Sequence, residues 1–277
     1  MRDYLELGKP RIALMVALTA FLGHWFAGGQ AGAVLAWMVL GTTLTACSAA
    51  ALNQLFEIGP DGLMSRTKNR PLPAGRLAPP QAAAFAMATG VLGLAALYGR
   101  VNALAGHLAA FTIAAYALAY TPLKRVTPQS TWVGALAGAT PPLIGWAAAR
   151  GSLAVGAWLL FAIQFIWQIP HFLALFWIYR EEYARAGFKV MPVVDPVGTG
   201  TAIQIAFHSL ALLIASVMPA FLGLASPRFA ALALAAGIPF LCVGLRASWT
   251  MTVPDARRLF RASLAYLPAI FGLLAWG

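Results

Sequence analysis

Apolar windows of roughly 20 residues recur along this chain from end to end, and each is long enough to cross a hydrocarbon layer of ~30 Å. Of its 277 residues, 61% are hydrophobic and only 10% are charged, against about 25% charged in water-soluble domains. Inside hydrocarbon every backbone N–H and C=O must be paired within the protein, so segments of this kind fold as helices. The chain therefore reads as an all-α membrane protein. Nine spans are expected, at about 11–27, 33–53, 80–99, 103–121, 131–149, 155–178, 202–224, 229–246 and 262–276. No soluble domain fits between them, so residues 1–277 are expected to form a single transmembrane domain. The opening residues resemble neither a signal peptide nor a transit peptide, which leaves the first apolar run as a span.

The basic residues support that count. With nine spans, Arg100, Arg150 and Arg228 fall on one side of the membrane, and every other residue of the 19 Lys and Arg falls on the other. One helix more or fewer would scramble this division. The rule that basic loops stay inside then puts the N-terminus in the cytoplasm and the C-terminus outside. The net charge of +11 is thus a topology signal. Its scatter over short loops excludes a nucleic-acid surface. Cys47 and Cys242 lie in apolar windows and read as small buried hydrophobes, so neither a disulfide scaffold nor a thiol-based metal site is expected.

Two connections, after the second and sixth spans, are longer and more polar than the rest. These spans lie four helices apart and point the same way, so both loops reach the cytoplasmic face. The pairing hints at two related halves, without a residue-level repeat. In the first loop Asn53, Glu57 and Asp61 are spaced four apart, as on one helix face. Gly59 and Pro60 oppose an unbroken helix. Proline lacks the amide proton and its ring crowds the carbonyl of Phe56, so a break is expected near Ile58, with Asp61 returning from a turn. Carboxylates and a side-chain amide suit Mg²⁺ shared with a substrate phosphate. Arg66, Lys68 and Arg70 follow directly and suit the phosphate itself. In a membrane protein, such an acidic cluster before a basic one points to a lipid that carries a diphosphate. The second loop offers Glu181 and Glu182, which could hold a second cation; spacing does not choose between them. Lys124 and Arg125 face the same side and could bind the distal phosphate. His171, after Pro170 inside the sixth span, is an ionisable group at membrane depth and so a functional candidate. His24, His107 and His208 read as interhelical hydrogen-bonding residues. Gly134, Gly138, Pro141, Pro142 and Gly145 make the fifth span a kinked, closely packed one.

At the level of motifs the chain resembles the UbiA-type intramembrane prenyltransferases, and within them the branch that farnesylates heme. The opening from Tyr4 to Lys9, Pro10 and Arg11 resembles the start of that family. The run from Asn53 and Gln54 through Arg66, Lys68, Asn69, Arg70, Pro71, Pro73 and Arg76 is similar to its first aspartate-rich motif. Lys124, Arg125, Thr127 and Pro128, followed by Gly138, Pro141, Pro142, Gly145 and Trp146, are similar to its next signature. Pro170, His171 and Phe172, then Glu181 to Gly187 and Met191 to Val193, resemble its second acidic motif. Glu57 stands where the family has aspartate, Ile58 to Pro60 replace a segment commonly charged, and both second-loop acids are glutamates.

The resemblance implies a nine-helix bundle with a central cavity in a bacterial cytoplasmic (inner) membrane. It implies Mg²⁺-dependent transfer of a farnesyl group from farnesyl diphosphate to a vinyl group of heme b. Metal ligation then falls to Asn53, Glu57, Asp61 and the Glu181/Glu182 pair, with Glu182 favoured among the catalytic acids. Arg66, Lys68, Arg70, Lys124 and Arg125 bind diphosphate, and His171 is a candidate for heme. A heme A synthase or an oxidase-assembly protein is the implied partner. Two other readings compete: a UbiA-type transferase acting on an aromatic quinone precursor, and a heme-binding membrane transporter.

Overall fold

The computed structural model describes residues 1–276. The chain opens with α1 (Arg2–Leu7), α2 (Pro10–Phe26), α3 (Ala33–Phe56) and the short α4 (Ile58–Gly62). Next come α5 (Pro79–Arg100) and α6 (Ala103–Ala114), the latter running through a π-helical turn (Ala115–Tyr120) into α7 (Thr121–Leu123). Then follow α8 (Ser130–Gly138), α9 (Pro141–Arg150), α10 (Val155–Ile178), α11 (Arg180–Arg185) and α12 (Met191–Val194). Three long helices close the fold: α13 (Thr199–Phe221), α14 (Pro227–Thr250) and α15 (Val253–Trp276). It is an all-helical, multi-pass membrane protein. Among the described residues, seven helical stretches are long and apolar enough to cross a bilayer.

The expected spans at 11–27 and 131–149 take other forms. The first is a 17-residue apolar helix. The second is two helices, α8 and α9, parted at Ala139 and Thr140. The cause is the pair Pro141–Pro142, which has no backbone N–H to offer the preceding turn. The last span was expected from 262, but α15 starts at Val253, because its opening turns hold Asp255, Arg257, Arg258 and Arg261 and hide in a hydropathy window. Thr252 begins it, its hydroxyl exchanging hydrogen bonds with the Asp255 amide (3.3 Å) and carboxylate (3.2 Å).

The helices pack as two groups. α2, α3, α5, α6 and α9 enclose Ala20, Met38, Leu97, Ala105 and Ile144. α10, α13, α14 and α15 enclose Ile163, Leu212, Phe240, Ile270 and Phe271. In lipid the apolar effect does not pull helices together, so close backbone approach does more of the work. Gly41 on α3 faces Gly93 on α5, where an added methyl would sit 2.8 Å from the Gly41 carbonyl. On α9, Gly145 lies against the Ala20 carbonyl of α2, with no room for a side chain.

Two backbone breaks recur. Glu57, after the 24-residue α3, has φ −111° and ψ 16°. Tyr179, after the 24-residue α10, has φ −111° and ψ 19°. Each break leads into a short helix, whose amides at Asp61 and Tyr183 reach back to the Glu57 and Tyr179 carbonyls (2.8 and 3.0 Å). The repeat absent from the residues is thus present in the backbone of both polar loops. The first break falls one residue before the expected Ile58.

Gly145→Ala is expected to cost about 1–3 kcal/mol by overpacking, while Gly99→Ala, in open space on α5, is expected to be neutral or slightly stabilising. Thermal melting of the two variants in detergent should separate them.

Candidate active site

The break at Glu57 sets the Asn53 and Glu57 side chains against each other beneath the first loop and starts the short helix that carries Asp61. Asn53, Glu57 and Asp61 are all buried, at 2%, 4% and 2% exposure. The Asn53 amide donates to Glu57 Oε2 (2.9 Å) and to Thr121 Oγ1 (3.2 Å). Its carbonyl oxygen accepts from Lys9 Nζ (2.9 Å). The other Glu57 oxygen pairs with Lys124. Asp61 Oδ2 pairs with Arg70 Nη1 (2.6 Å). A buried carboxylate without a partner is strongly destabilising, and here each acid has one.

Thr121 reaches Asn53 because of the π-helical turn. Pro122 cannot donate to the preceding turn, and both the amide and the hydroxyl of Thr121 go back to the Tyr116 carbonyl. The hydroxyl proton is thereby committed, leaving its oxygen to accept from Asn53. Lys124 follows one turn on, its ammonium over the rings of Tyr120 (4.7 Å) and Phe188 (5.2 Å).

The second loop is hooked to the first by Glu182. Its carboxylate accepts from the Ser65 amide (2.8 Å) and hydroxyl (2.5 Å). These two bonds, the hydroxyl's foremost, hold Glu182 below the usual glutamate range. Glu181 is exposed. So of the pair that spacing could not separate, Glu182 is the one turned onto the first loop. Arg66 reaches the Tyr183 hydroxyl (3.4 Å). Arg66, Lys68 and Arg125 are exposed, whereas Lys124 is buried and Arg70 nearly so. The expected phosphate-binding residues thus form an inner pair against the acids and an outer set in water. Arg125 lines a surface groove with Phe56, Gly59, Pro60 and Leu63.

His171 stands apart from the acids. It lies eight residues before the α10 break, about 12 Å along the helix. Its Nδ1 meets Ser263 Oγ (2.7 Å), and its ring stacks on Trp167 and Phe260. His24 and His208 bond to the carbonyls of Gln30 (3.2 Å) and Gln204 (2.8 Å). Those bonds are local along the chain and not interhelical as expected: His208 reaches back one helical turn, and His24 reaches the loop just after α2. His107 packs edge-on to Tyr98. Cys242 is exposed, not buried, and Cys47 is half-buried; both are free thiols.

Lys9 is a residue of this cluster that sequence reasoning missed. Pro10 marks the start of α2, which makes Lys9 its N-cap, at the same end of the bundle as Asn53. Its backbone is left-handed (φ 50°, ψ 66°), a costly conformation for a residue with a side chain. That conformation turns the amine inward to Asn53. Enclosure of the amine, and next the Arg70 charge, push its pKa down to about 7, against the pull of Glu57. Ser65 was likewise missed; nothing in its spacing marks it.

Among the described residues, no three His, Cys, Asp or Glu side chains converge as a ready-made metal centre. The donor set nevertheless fits a hard divalent cation. It consists of oxygen atoms only, buried at the bundle's edge, and cations that could exchange to phosphate already balance its charge.

The chain matches the UbiA prenyltransferase family over residues 15–267. It is 44% identical over 285 residues to a protein of Solibacter usitatus named protoheme IX farnesyltransferase, covering 99% of this chain and 98% of that one. It is 40% identical to the human mitochondrial protein of the same name, covering 97% of this chain and 60% of that one. A structure from work on digeranylgeranylglyceryl phosphate synthase superposes with TM-score 0.84 at 16% identity, covering 100% of this chain and 97% of the other. A UbiA homolog from Archaeoglobus fulgidus bound to GPP and Mg²⁺ superposes at 0.70 and 16% identity, covering 98% and 99%.

A cation held below its ordinary pKa binds fewer protons in the folded state than in the unfolded one. Stability therefore rises with pH between about 7 and the ordinary lysine value of about 10.4. Lys9→Met removes that penalty. The variant is expected to melt higher than the native protein at pH 7 and to lose the native rise in melting temperature between pH 7 and 9. Lower melting across that range would mean that the bond to Asn53 outweighs the burial.

Proposed function

The chain belongs to the UbiA prenyltransferase family, and from that premise we propose that it transfers a farnesyl group from farnesyl diphosphate to a vinyl group of heme b, giving heme O and diphosphate. Relatives of nearly full length that carry the name protoheme IX farnesyltransferase support the acceptor and the donor. The observation that carries the reading is the meeting of both polar loops at one end of the bundle. There Asn53, Glu57 and Asp61 lie against Lys124 and Arg70, and Glu182 is hooked to Ser65.

The farnesyl tail lies among the apolar helices, with its diphosphate at the charged end. Asn53, Glu57 and Asp61, with Glu182 from the second loop, would hold Mg²⁺, which when bound neutralises the leaving diphosphate. Lys124 and Arg70 shift from the carboxylates to the diphosphate oxygens, Lys9 joins them, and Arg66, Lys68 and Arg125 gather the substrate at the mouth. As the allylic C–O bond breaks, the electron pair leaves with diphosphate. Tyr120, whose ring already lies against the Lys124 ammonium, offers an aromatic face to the allylic cation. The vinyl group of heme attacks that cation. Water then adds to the carbon next to the macrocycle, and its proton returns to solvent, completing the hydroxyethyl arm. His171 binds the heme.

In this reading the whole chain is one prenyltransferase domain that crosses a bacterial inner membrane nine times, with α2 and the α8–α9 pair as the two crossings beyond the seven long stretches. The loops near Lys9, Arg70, Lys124 and Lys189 lie in the cytoplasm and the C-terminus outside. Support comes from the contacts: Lys9, Asn53, Lys124 and Lys189 are joined at one end, while Arg150 closes on Ala27 and Arg100 lies over Trp37 elsewhere. A heme A synthase or an oxidase-assembly protein consumes the product.

Expression in a heme-O-deficient bacterium, with mass spectrometry of extracted heme, tests the function; absence of heme O would refute it. Asp61→Ala and Glu57→Gln are each expected to lower heme O formation on the order of 10²-fold or more; wild-type rates in both would remove the metal site. Purified protein given labelled farnesyl diphosphate with heme b or an aromatic quinone precursor should label heme and release diphosphate only with Mg²⁺ present. A transporter would release none.

A further inference from the structure

Ser263 on α15 is fully buried, at 0% exposure, and every polar atom beyond its amide is committed around His171. Its hydroxyl donates to the Phe260 carbonyl (2.7 Å). Its carbonyl accepts from the indole Nε1 of Trp167 (2.8 Å). Its Oγ also lies 2.7 Å from His171 Nδ1. A serine hydroxyl has one proton. If that proton goes to Phe260, the contact with histidine is complete only when Nδ1 is the donor. The reverse arrangement, serine donating to Nδ1, makes one hydrogen bond fewer. It also leaves an Nε2–H without an acceptor inside an apolar helix, which is the costly option. The imidazole therefore carries its proton on Nδ1 and presents a lone pair on Nε2.

The ring has little freedom to turn. Trp167 stacks on it at 4.8 Å and 22°, and Phe260 at 4.7 Å and 28°. Among the described residues Nε2 has no hydrogen-bond partner, and His171 keeps accessible surface although its surroundings are packed. An interhelical packing histidine has no need of a free edge. A metal-ligating histidine has this arrangement: one nitrogen held by an outer oxygen, the other bare and aimed.

We infer that Ser263 is a positioning residue, which locks His171 in the Nδ1–H tautomer and presents Nε2 as an axial ligand to the iron of the heme substrate. The inference rests on the proposed heme-binding function and adds to it the ligating atom, its tautomer and the group that fixes both.

The test uses the full-length protein in lipid nanodiscs, titrated with heme b and followed by its Soret and visible bands. Wild type, His171→Ala, Ser263→Ala and Ser263→Thr are compared, with thermal melting to establish that each is folded. Ser263→Ala is expected to weaken heme binding 10- to 100-fold and to shift the spectrum toward that of His171→Ala, with farnesyl diphosphate affinity unchanged. Ser263→Thr, which keeps the hydroxyl, should restore the native bands. If Ser263→Ala does not fold, Ser263→Cys keeps the volume with a weaker acceptor and should move in the same direction. Native affinity and spectrum in a folded Ser263→Ala or Ser263→Cys, with loss in His171→Ala, would overturn the role of Ser263 and leave the heme reading standing. Native binding and spectrum in His171→Ala would overturn the axial ligand itself. Heme O formation by wild type, measured in parallel, shows separately whether the proposed function holds.

Discussion

Charge neutrality at the edge of the hydrocarbon governs the rest of this structure. Glu57 and Asp61 are almost wholly withdrawn from water, and neither could stay ionised there alone. Lys124 comes from the end of α7 and Arg70 from the first loop, so two separate stretches of chain are pinned to the end of α3 by one electrostatic requirement. Lys9, from the start of α2, joins them through the Asn53 carbonyl and not through a carboxylate. The π-helical turn before Thr121 and the left-handed backbone of Lys9 are local costs that bring their side chains to that point.

The same network is poised for exchange. Buried ion pairs contribute little net stability, because desolvation offsets much of their attraction. A cation that holds a carboxylate only to keep it neutral can move to a diphosphate oxygen if another cation takes its place on the carboxylate. The proposed chemistry asks for that exchange, and the inner cations Lys124 and Arg70 are placed for it. Arg66, Lys68 and Arg125 sit in water, where ion contacts are worth less and are screened by salt. They suit capture of the substrate better than stabilisation of its breaking bond.

Much of this was legible in the sequence, for reasons that differ from residue to residue. The helix break before Asp61 follows from Pro60, whose missing N–H acts wherever it lies. The apolar windows follow from the hydrocarbon thickness. Hydropathy hides the start of α15 because it averages over the charged residues of the first turns, whereas the Thr252–Asp255 cap is a local signal independent of polarity. The break at Tyr179 carries no proline and no glycine, so only the backbone reveals that it repeats the one at Glu57. Lys9 reads as a topology signal, since nothing in its neighbours announces an inward turn. Partners such as Thr121 with Asn53 or Ser65 with Glu182 are 68 and 117 residues apart, beyond any local pattern.

The helix α10 serves as a ruler between two tasks. At its C-terminal end the chain breaks at Tyr179 and turns Glu182 onto the first loop. About 12 Å deeper, past Phe176 and Phe172, it presents His171. On the proposed function these are the diphosphate end and the iron end of one reaction space. A rigid rod between them fixes how far the reacting vinyl group can lie from the leaving group, which a pair of loops could not do. Proximity of this kind lowers a barrier only if neither end can drift. Clamping at both ends supplies that condition: the Ser65 hook holds the outer end, and Trp167, Phe260 and Ser263 hold the inner one. Pro170 lies on the inner side of His171, within the Trp167–His171 turn, so the backbone bond it removes loosens α10 outside the stretch that joins the two tasks, where the α15 contacts restrain it.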